Sequence, residues 1–314
     1  MRALASLALI TVAAAFAASA AARTPIRVGI GDQNIAMFDQ SAFRRAQFEH
    51  VRFLVAWNVM DDAPQRLAAR AYVQRARADH MRVLLHVSTD DYRIKKARLP
   101  SVAAYRRQVG RIVRYFRALG VREFGTWNEA NHASQPTYDS PARAALHFRE
   151  MYRAVKGHCR TCAIVGLDVL DQVGVESYMR SFYRRLSATY RRRATVVGIH
   201  NYGDVNRKRT SFTRAIITQA RRYNRHTRFW LTETGGIVKL GRSFACSTTR
   251  AAARLSWMFH LARVYRTSGI DRLYIYNWTG AGCDARFDAG LTSPDGAPRA
   301  GYRYLRKVLP NYLR

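Results

Sequence analysis

Eight short runs rich in Val, Ile, Leu and Phe alternate with amphipathic stretches along nearly the whole chain, and this alternation restricts the fold more than any other feature. The runs begin near Ile26-Arg27-Val28, then Val51 to Val55, Arg82 to Leu85, Glu123 to Trp127 and Ala163 to Leu167. Val196 to Ile199, Arg228 to Leu231 and Leu273 to Tyr276 complete the set. Their spacing of roughly 25 to 45 residues is the length of a βα unit. Between them, Pro64 to His80 and Val102 to Leu119 carry apolar residues at three-and-four spacing with arginines outside, the pattern of a helix packed on one face. Pro141, after Ser140, opens a helix running to about Lys156. Similar patterns cover Val175 to Tyr190, Ser211 to Tyr223, Thr248 to Thr267 and Pro298 to Leu309, with a short first helix near Ser41 to Phe48.

Eight such units without a linker or a break in composition predict one closed (β/α)8 barrel, an α/β TIM-barrel domain over residues 23–314. A doubly wound open sheet is the alternative. It would place a glycine-rich phosphate loop after the first strand, and Gly29-Ile30-Gly31 is followed by Asp32-Gln33-Asn34, which does not complete one. Ahead of the barrel, Arg2, the apolar stretch Leu4 to Phe16 and the small residues Ala18 to Ala22 read as a signal peptide over residues 1–22. Secretion is therefore expected, with a mature chain beginning near Arg23 and no membrane span elsewhere. In an exported chain the four cysteines are expected as disulfides, with Cys159 closing a tight loop with Cys162 and Cys246 pairing with Cys283 by elimination. A monomer is the expected assembly.

The chain holds 53 Lys and Arg against 21 Asp and Glu, a net charge of +32. Such a balance favours polyanions, and an acidic polysaccharide or cell-wall polymer is a candidate partner. The same charge is also what arginine-rich, solvated helix faces would give. The arginines are spread over many segments and form no single patch, so no specific nucleic-acid partner is expected. No Gly-x-Ser-x-Gly elbow, His-Glu-x-x-His pair or phosphate loop is present, so serine hydrolysis, a catalytic metal and a nucleotide cofactor are not indicated.

Active sites of such barrels lie at the C-terminal ends of the strands. The fourth run ends Trp127-Asn128-Glu129, and the seventh ends Leu231-Thr232-Glu233. Two carboxylates at the tops of two strands match retaining glycoside hydrolysis, where one carboxyl attacks the sugar and the other protonates the leaving oxygen across a gap of about 5 to 5.5 Å. Trp57 also ends a run and could stack on a pyranose ring; Tyr92, Tyr138 and Phe244 are weaker candidates on loops at the same end.

Taken in order, these residues resemble glycoside hydrolase clan A, and families 5 and 39 within it. The resemblance spans the mature chain. It implies that Glu129 is the acid/base, Glu233 the nucleophile and Asn128 the ligand of the sugar 2-hydroxyl. It further implies that Arg52 hydrogen-bonds the nucleophile, that His86 is the third-strand histidine, and that Tyr202 in His200-Asn201-Tyr202 contacts the nucleophile. Trp278 would form the floor under the attacked sugar. A carbohydrate substrate follows, a β-type bond or its arabinoside equivalent, with water or an acceptor sugar completing the reaction. The rival expectation is a barrel that binds cell-wall glycan or polyanion without cleaving it.

Overall fold

A computed structural model describes residues 25–312; the expected signal peptide and the start of the mature chain lie outside these residues. All eight expected strands are present and parallel. They are β1 (Arg27–Gly31), β2 (His50–Ala56), β3 (Arg82–Ser88), β4 (Glu123–Gly125), then β5 (Ala163–Val165) and β6 (Leu167–Leu170), followed by β7 (Val196–His200), β8 (Arg228–Thr234) and, after a two-residue β9 (Lys239–Leu240), β10 (Ile270–Tyr276). Pairing runs β5-β4-β3-β2-β1-β10-β8-β7-β6. β5 and β6 are two pieces of one strand interrupted at Gly166, whose N–H still donates to Val196 O on β7 at 2.9 Å. The sheet therefore closes on itself, as the βα alternation requires. The strands read as continuous apolar runs because both faces are covered: helices outside, side chains of the opposite wall inside.

Three helices show how the sequence sets the outer layer. α2 (Ala63–Ala78) is capped by Asp62, which accepts from Gln65 N, and carries Pro64 in its first turn, where a missing N–H costs nothing. α3 (Val102–Ala118) is capped by Ser101 and buries Tyr105, Val109, Ile112, Val113 and Phe116 on one face. α4 (Pro141–His158) ends next to the Cys159–Cys162 disulfide. The second disulfide, Cys246–Cys283, is also formed. Around them lie α1 (Ser41–Ala46), α8 (Ser211–Arg221), α9 (Thr248–Val264) and α10 (Ala300–Val308), within a few residues of the expected ranges. Among the described residues no helix is long and apolar enough to cross a membrane.

The expected helix from Val175 to Tyr190 is in fact two. α5 (Val175–Arg185) stops where Leu186 turns extended and buries its side chain, and Ser187 caps α6 (Ala188–Arg193) by accepting from Tyr190 N. Two elements were not foreseen. α7 (Tyr202–Asn206) follows β7 directly, and β9 pairs antiparallel with β11 (Phe287–Asp288) above the barrel.

The apolar core divides in two. The larger part fills the space between sheet and helices, and the smaller fills the barrel with Leu84, Val165, Val196, Trp230 and Tyr274. Arg272 stacks on Trp230, 4.0 Å from its ring centroid, and pairs with Glu123. Toward the C-terminal ends of the strands the interior becomes polar. Two glycines make the space for it. A Cβ at Gly125 would lie 2.1 Å from the His86 ring, and one at Gly198 would lie 2.2 Å from Asp168 Oδ1.

Candidate active site

Arg52 on β2 is the centre of the polar interior and is 1% exposed. Its Nη1 donates to Glu233 Oε1 at 2.6 Å and its Nη2 to Asn128 Oδ1 at 2.6 Å. Nη2 also lies 3.3 Å from Asp168 Oδ2, and Nε donates to His86 Nδ1 at 3.2 Å. Every fork of the guanidinium is thus used, which a lysine could not reproduce. Burial alone would make the charge costly, but Glu233 and Asp168 hold the proton and raise the group above its ordinary value.

Asp168 on β6 is the buried counter-charge. Its Oδ2 faces Arg52, His86 Nε2 at 3.3 Å and His200 Nε2 at 3.1 Å, while Oδ1 accepts from Thr232 Oγ1 at 2.6 Å. Burial opposes ionisation here, but the charges of His200 and Arg52 and the hydrogen bond from His200 outweigh it and hold the carboxyl far below the usual range. His86 is stripped of solvent, which lowers it to about 3, so it is neutral and accepts from Arg52 through Nδ1.

His200 ends β7 and links the two candidate catalytic carboxylates. Its Nδ1 lies 3.1 Å from Glu129 Oε1 and 3.4 Å from Glu233 Oε2. Burial would lower its affinity for a proton, but the charges of Asp168 and Glu233 and the hydrogen bonds to Asp168 and Glu129 push it up to about 10. The folded state therefore holds a proton that an unfolded histidine releases above pH 6.5. This contribution to stability is full below that pH and is lost as pH rises through about 10. Melting temperature should fall across that interval, and His200→Gln should flatten the fall; an unchanged slope would assign the alkaline loss elsewhere.

Glu129 follows β4 in a left-handed conformation, φ 43°, which costs a non-glycine residue about 1–2 kcal/mol. The turn is held across to β6. Ala130 N donates to Asp168 O at 2.9 Å, and Asn131 exchanges hydrogen bonds with both backbone groups of Leu170 at 2.8 and 2.9 Å. Glu233 lies on β8 and accepts from Tyr202 Oη at 3.4 Å as well as from Arg52. One oxygen each of Glu129 and Glu233 and a ring nitrogen of His200 lie within 4.8 Å of one another. A cation at that point would meet the Arg52 guanidinium and the His200 imidazolium, so the cluster is a poor metal cage.

The two carboxyls are shifted in opposite directions. Burial raises Glu233, and the charge of Glu129 adds to it against the pull of His200 and Arg52, leaving it above its ordinary value. Burial also works against Glu129, but the hydrogen bond and charge of His200 prevail and lower it. The roles implied by the sequence resemblance require Glu129 to hold a proton and Glu233 to be ionised in the reacting complex.

Both carboxyls open onto a cleft of about 520 Å³ at the C-terminal end of the barrel. Its walls include Asn128, His132, Tyr202, four residues from the loops above, Tyr92, Arg207, Phe244 and Arg286, with Phe287 from β11 and Tyr276 from β10. No family model matches the chain, and no curated protein sequence does. Solved structures do match. A glucosidase from Croceicoccus marinus superposes with a TM-score of 0.70 at 15% identity, over 92% of this chain and 67% of that one. A family 39 β-xylosidase from Caulobacter crescentus gives 0.66 at 14%, over 91% and 71%. A fungal β-1,4-galactanase gives 0.66 at 10%, over 90% and 99%. The chain shares its fold with these glycosidases. Family 39, one of the two families the sequence resembles, is thus among the neighbours of the barrel.

Within this barrel the structure gathers Arg52, His86, Asn128, Glu129, His200, Tyr202 and Glu233 into one network. It does not bring two expected residues to it. Trp278 is fully buried, with its ring edge-on to Phe43 and Tyr302 and its Nε1 donating to Gln40 Oε1 at 2.7 Å. It packs the barrel against α1 and α10 and is no subsite floor, because β10 ends at Tyr276 and the chain leaves the cleft beyond it. Trp57 is half-buried against the outer core and is absent from the cleft lining. Of the loop aromatics, Tyr92 and Phe244 line the cleft, while Tyr138 lies under Lys95 instead. Sequence reasoning missed Asp168, His132 and Tyr276. Asp168 had a usable signal, a lone carboxylate inside the apolar segment Val165-Gly166-Leu167-Asp168-Val169-Leu170.

Proposed function

We propose that the protein is a retaining glycosidase acting outside the cytoplasm, with Glu233 as nucleophile and Glu129 as acid/base. The observation that carries this reading is the approach of the two carboxyls to within 4.8 Å in one cleft. That spacing suits direct attack on the sugar; an inverting pair needs roughly 6.5–9.5 Å to admit a water. The glycosidases that share the fold support a carbohydrate substrate. The two disulfides are compatible with an exported protein.

Glu233 attacks the anomeric carbon as the carboxylate, while Glu129 gives its proton to the departing glycosidic oxygen. The glycosyl–Glu233 ester is then opened by water or an acceptor sugar, from which Glu129 takes a proton. The reacting complex therefore needs the proton on Glu129 and the charge on Glu233. His200 supplies the means, because its Nδ1 stands almost equally far from both carboxyls. A leaving oxygen at Glu129 replaces that residue's contact with His200. The imidazolium then pairs with Glu233 and, with Arg52, keeps it ionised.

Glu129→Ala tests the division of labour. Activity should persist on aryl glycosides with good leaving groups, which need little protonation, and should fall by about 10²–10⁴-fold on unactivated glycans. Equal loss on both classes would remove Glu129 from the acid role.

A further inference from the structure

The wall of the cleft beside Glu233 carries two arginines whose side chains donate no hydrogen bond among the described residues. Arg207 follows α7, and Arg286 precedes β11; both side chains line the cleft and are exposed. Among the described residues neither guanidinium takes part in an ion pair. Other arginines of the same wall are engaged. Arg250 donates to Ile237 O and Val238 O, and Arg299 pairs with Asp288 at 2.7 Å. The wall is also built to stay in place. β9 and β11 pair, Cys246–Cys283 ties their flanks, and Phe244 sits beneath the Arg207 guanidinium at 5.1 Å. Apart from the catalytic pair, Asp171 is the one carboxyl in the lining. Both its oxygens accept backbone N–H groups, from Gly203 and Asp204, and burial holds it up to about 8, so it opposes an anion weakly.

Resting on the glycosidase reading, we propose that Arg207 and Arg286 select an anionic sugar, so that the substrate of this cleft bears a carboxylate or a sulfate. Free guanidinium groups, that of Arg207 held over an aromatic, at the edge of a cleft give such a group charge-assisted hydrogen bonds that a neutral sugar cannot use.

Calorimetric titration of the full-length Glu233→Gln variant tests this. The probes are short galacturonate and glucuronate-containing oligosaccharides with their carboxyl-reduced counterparts, and sulfated oligosaccharides with their desulfated counterparts. At least one charged member should bind about tenfold or more tightly than its neutral twin, and the pair that shows the preference identifies the anion. Arg207→Gln with Arg286→Gln should remove the preference. Arg70→Gln with Arg114→Gln, a matched pair of exposed arginines in a separate depression on α2 and α3, should leave it intact. Equal affinity for every charged and neutral twin overturns the proposal. Equal loss in the control pair does so too, since bulk charge would then explain the preference. Turnover by the wild-type protein separates the two readings. A charge preference without cleavage of any probe would sink the glycosidase and leave the anion site, whereas cleavage of neutral and charged twins alike would do the opposite.

Discussion

Glu233→Gln is expected to lower turnover by on the order of 10⁴-fold or more, on activated and unactivated glycosides alike, while leaving the melting temperature near that of the wild type. The size follows from the role. A missing nucleophile closes the covalent route for every leaving group, and residues that act as one catalytic unit lose about this much when one is removed. The amide keeps the shape of the carboxyl; its oxygen can still accept from Arg52 Nη1 and its NH2 can donate to Tyr202 Oη, so most of the network around it is preserved. It also removes the repulsion from Glu129 that raises Glu233. Kinetics on an aryl glycoside, with a thermal melt alongside, is the check. Retention of most activity would take Glu233 out of the nucleophile role whatever its geometry.

The second large effect concerns stability. Arg52→Leu should destabilise the fold by roughly 3–5 kcal/mol, because it strands buried Asp168 and Glu233 without their cation. Asn128 and His86 lose their donor in the same step. Arg52→Lys should recover little, since a point charge cannot serve four acceptors at once. Combining Arg52→Leu with Asp168→Leu should cost less than the two single changes added together, a coupling that denaturant unfolding can measure. A loss under about 1 kcal/mol for Arg52→Leu would mean that water reaches the barrel interior and that the network is not the support of the site.

The barrel was legible in the sequence because a parallel strand covered on both faces must be apolar throughout, and eight such runs leave few closures. The carboxylates were legible because strand ends are where a barrel is open to solvent. What remained hidden depended on direction rather than composition. The fifth run reads as ending at Leu167, yet the strand continues to Leu170 and aims Asp168 inward. Tyr276 and Trp278 look equivalent on paper, but the strand stops between them, so one faces the cleft and the other packs under α1. Trp57 fails for the same reason at the end of β2. The break at Leu186 is a tertiary choice, since burying that side chain needs an extended residue where helix propensity alone would continue. The ionisation of the dyad was also out of reach, because it depends on where the His200 ring stands between two carboxyls.

The most direct test of the account is the anomeric configuration of the first product, followed by proton NMR during cleavage of a defined glycoside before mutarotation sets in. Carboxyls within 4.8 Å of each other predict that the first-formed sugar keeps the configuration of the bond that was cleaved. A first product of inverted configuration would contradict it, and would turn Glu233 from a nucleophile into a base that activates water.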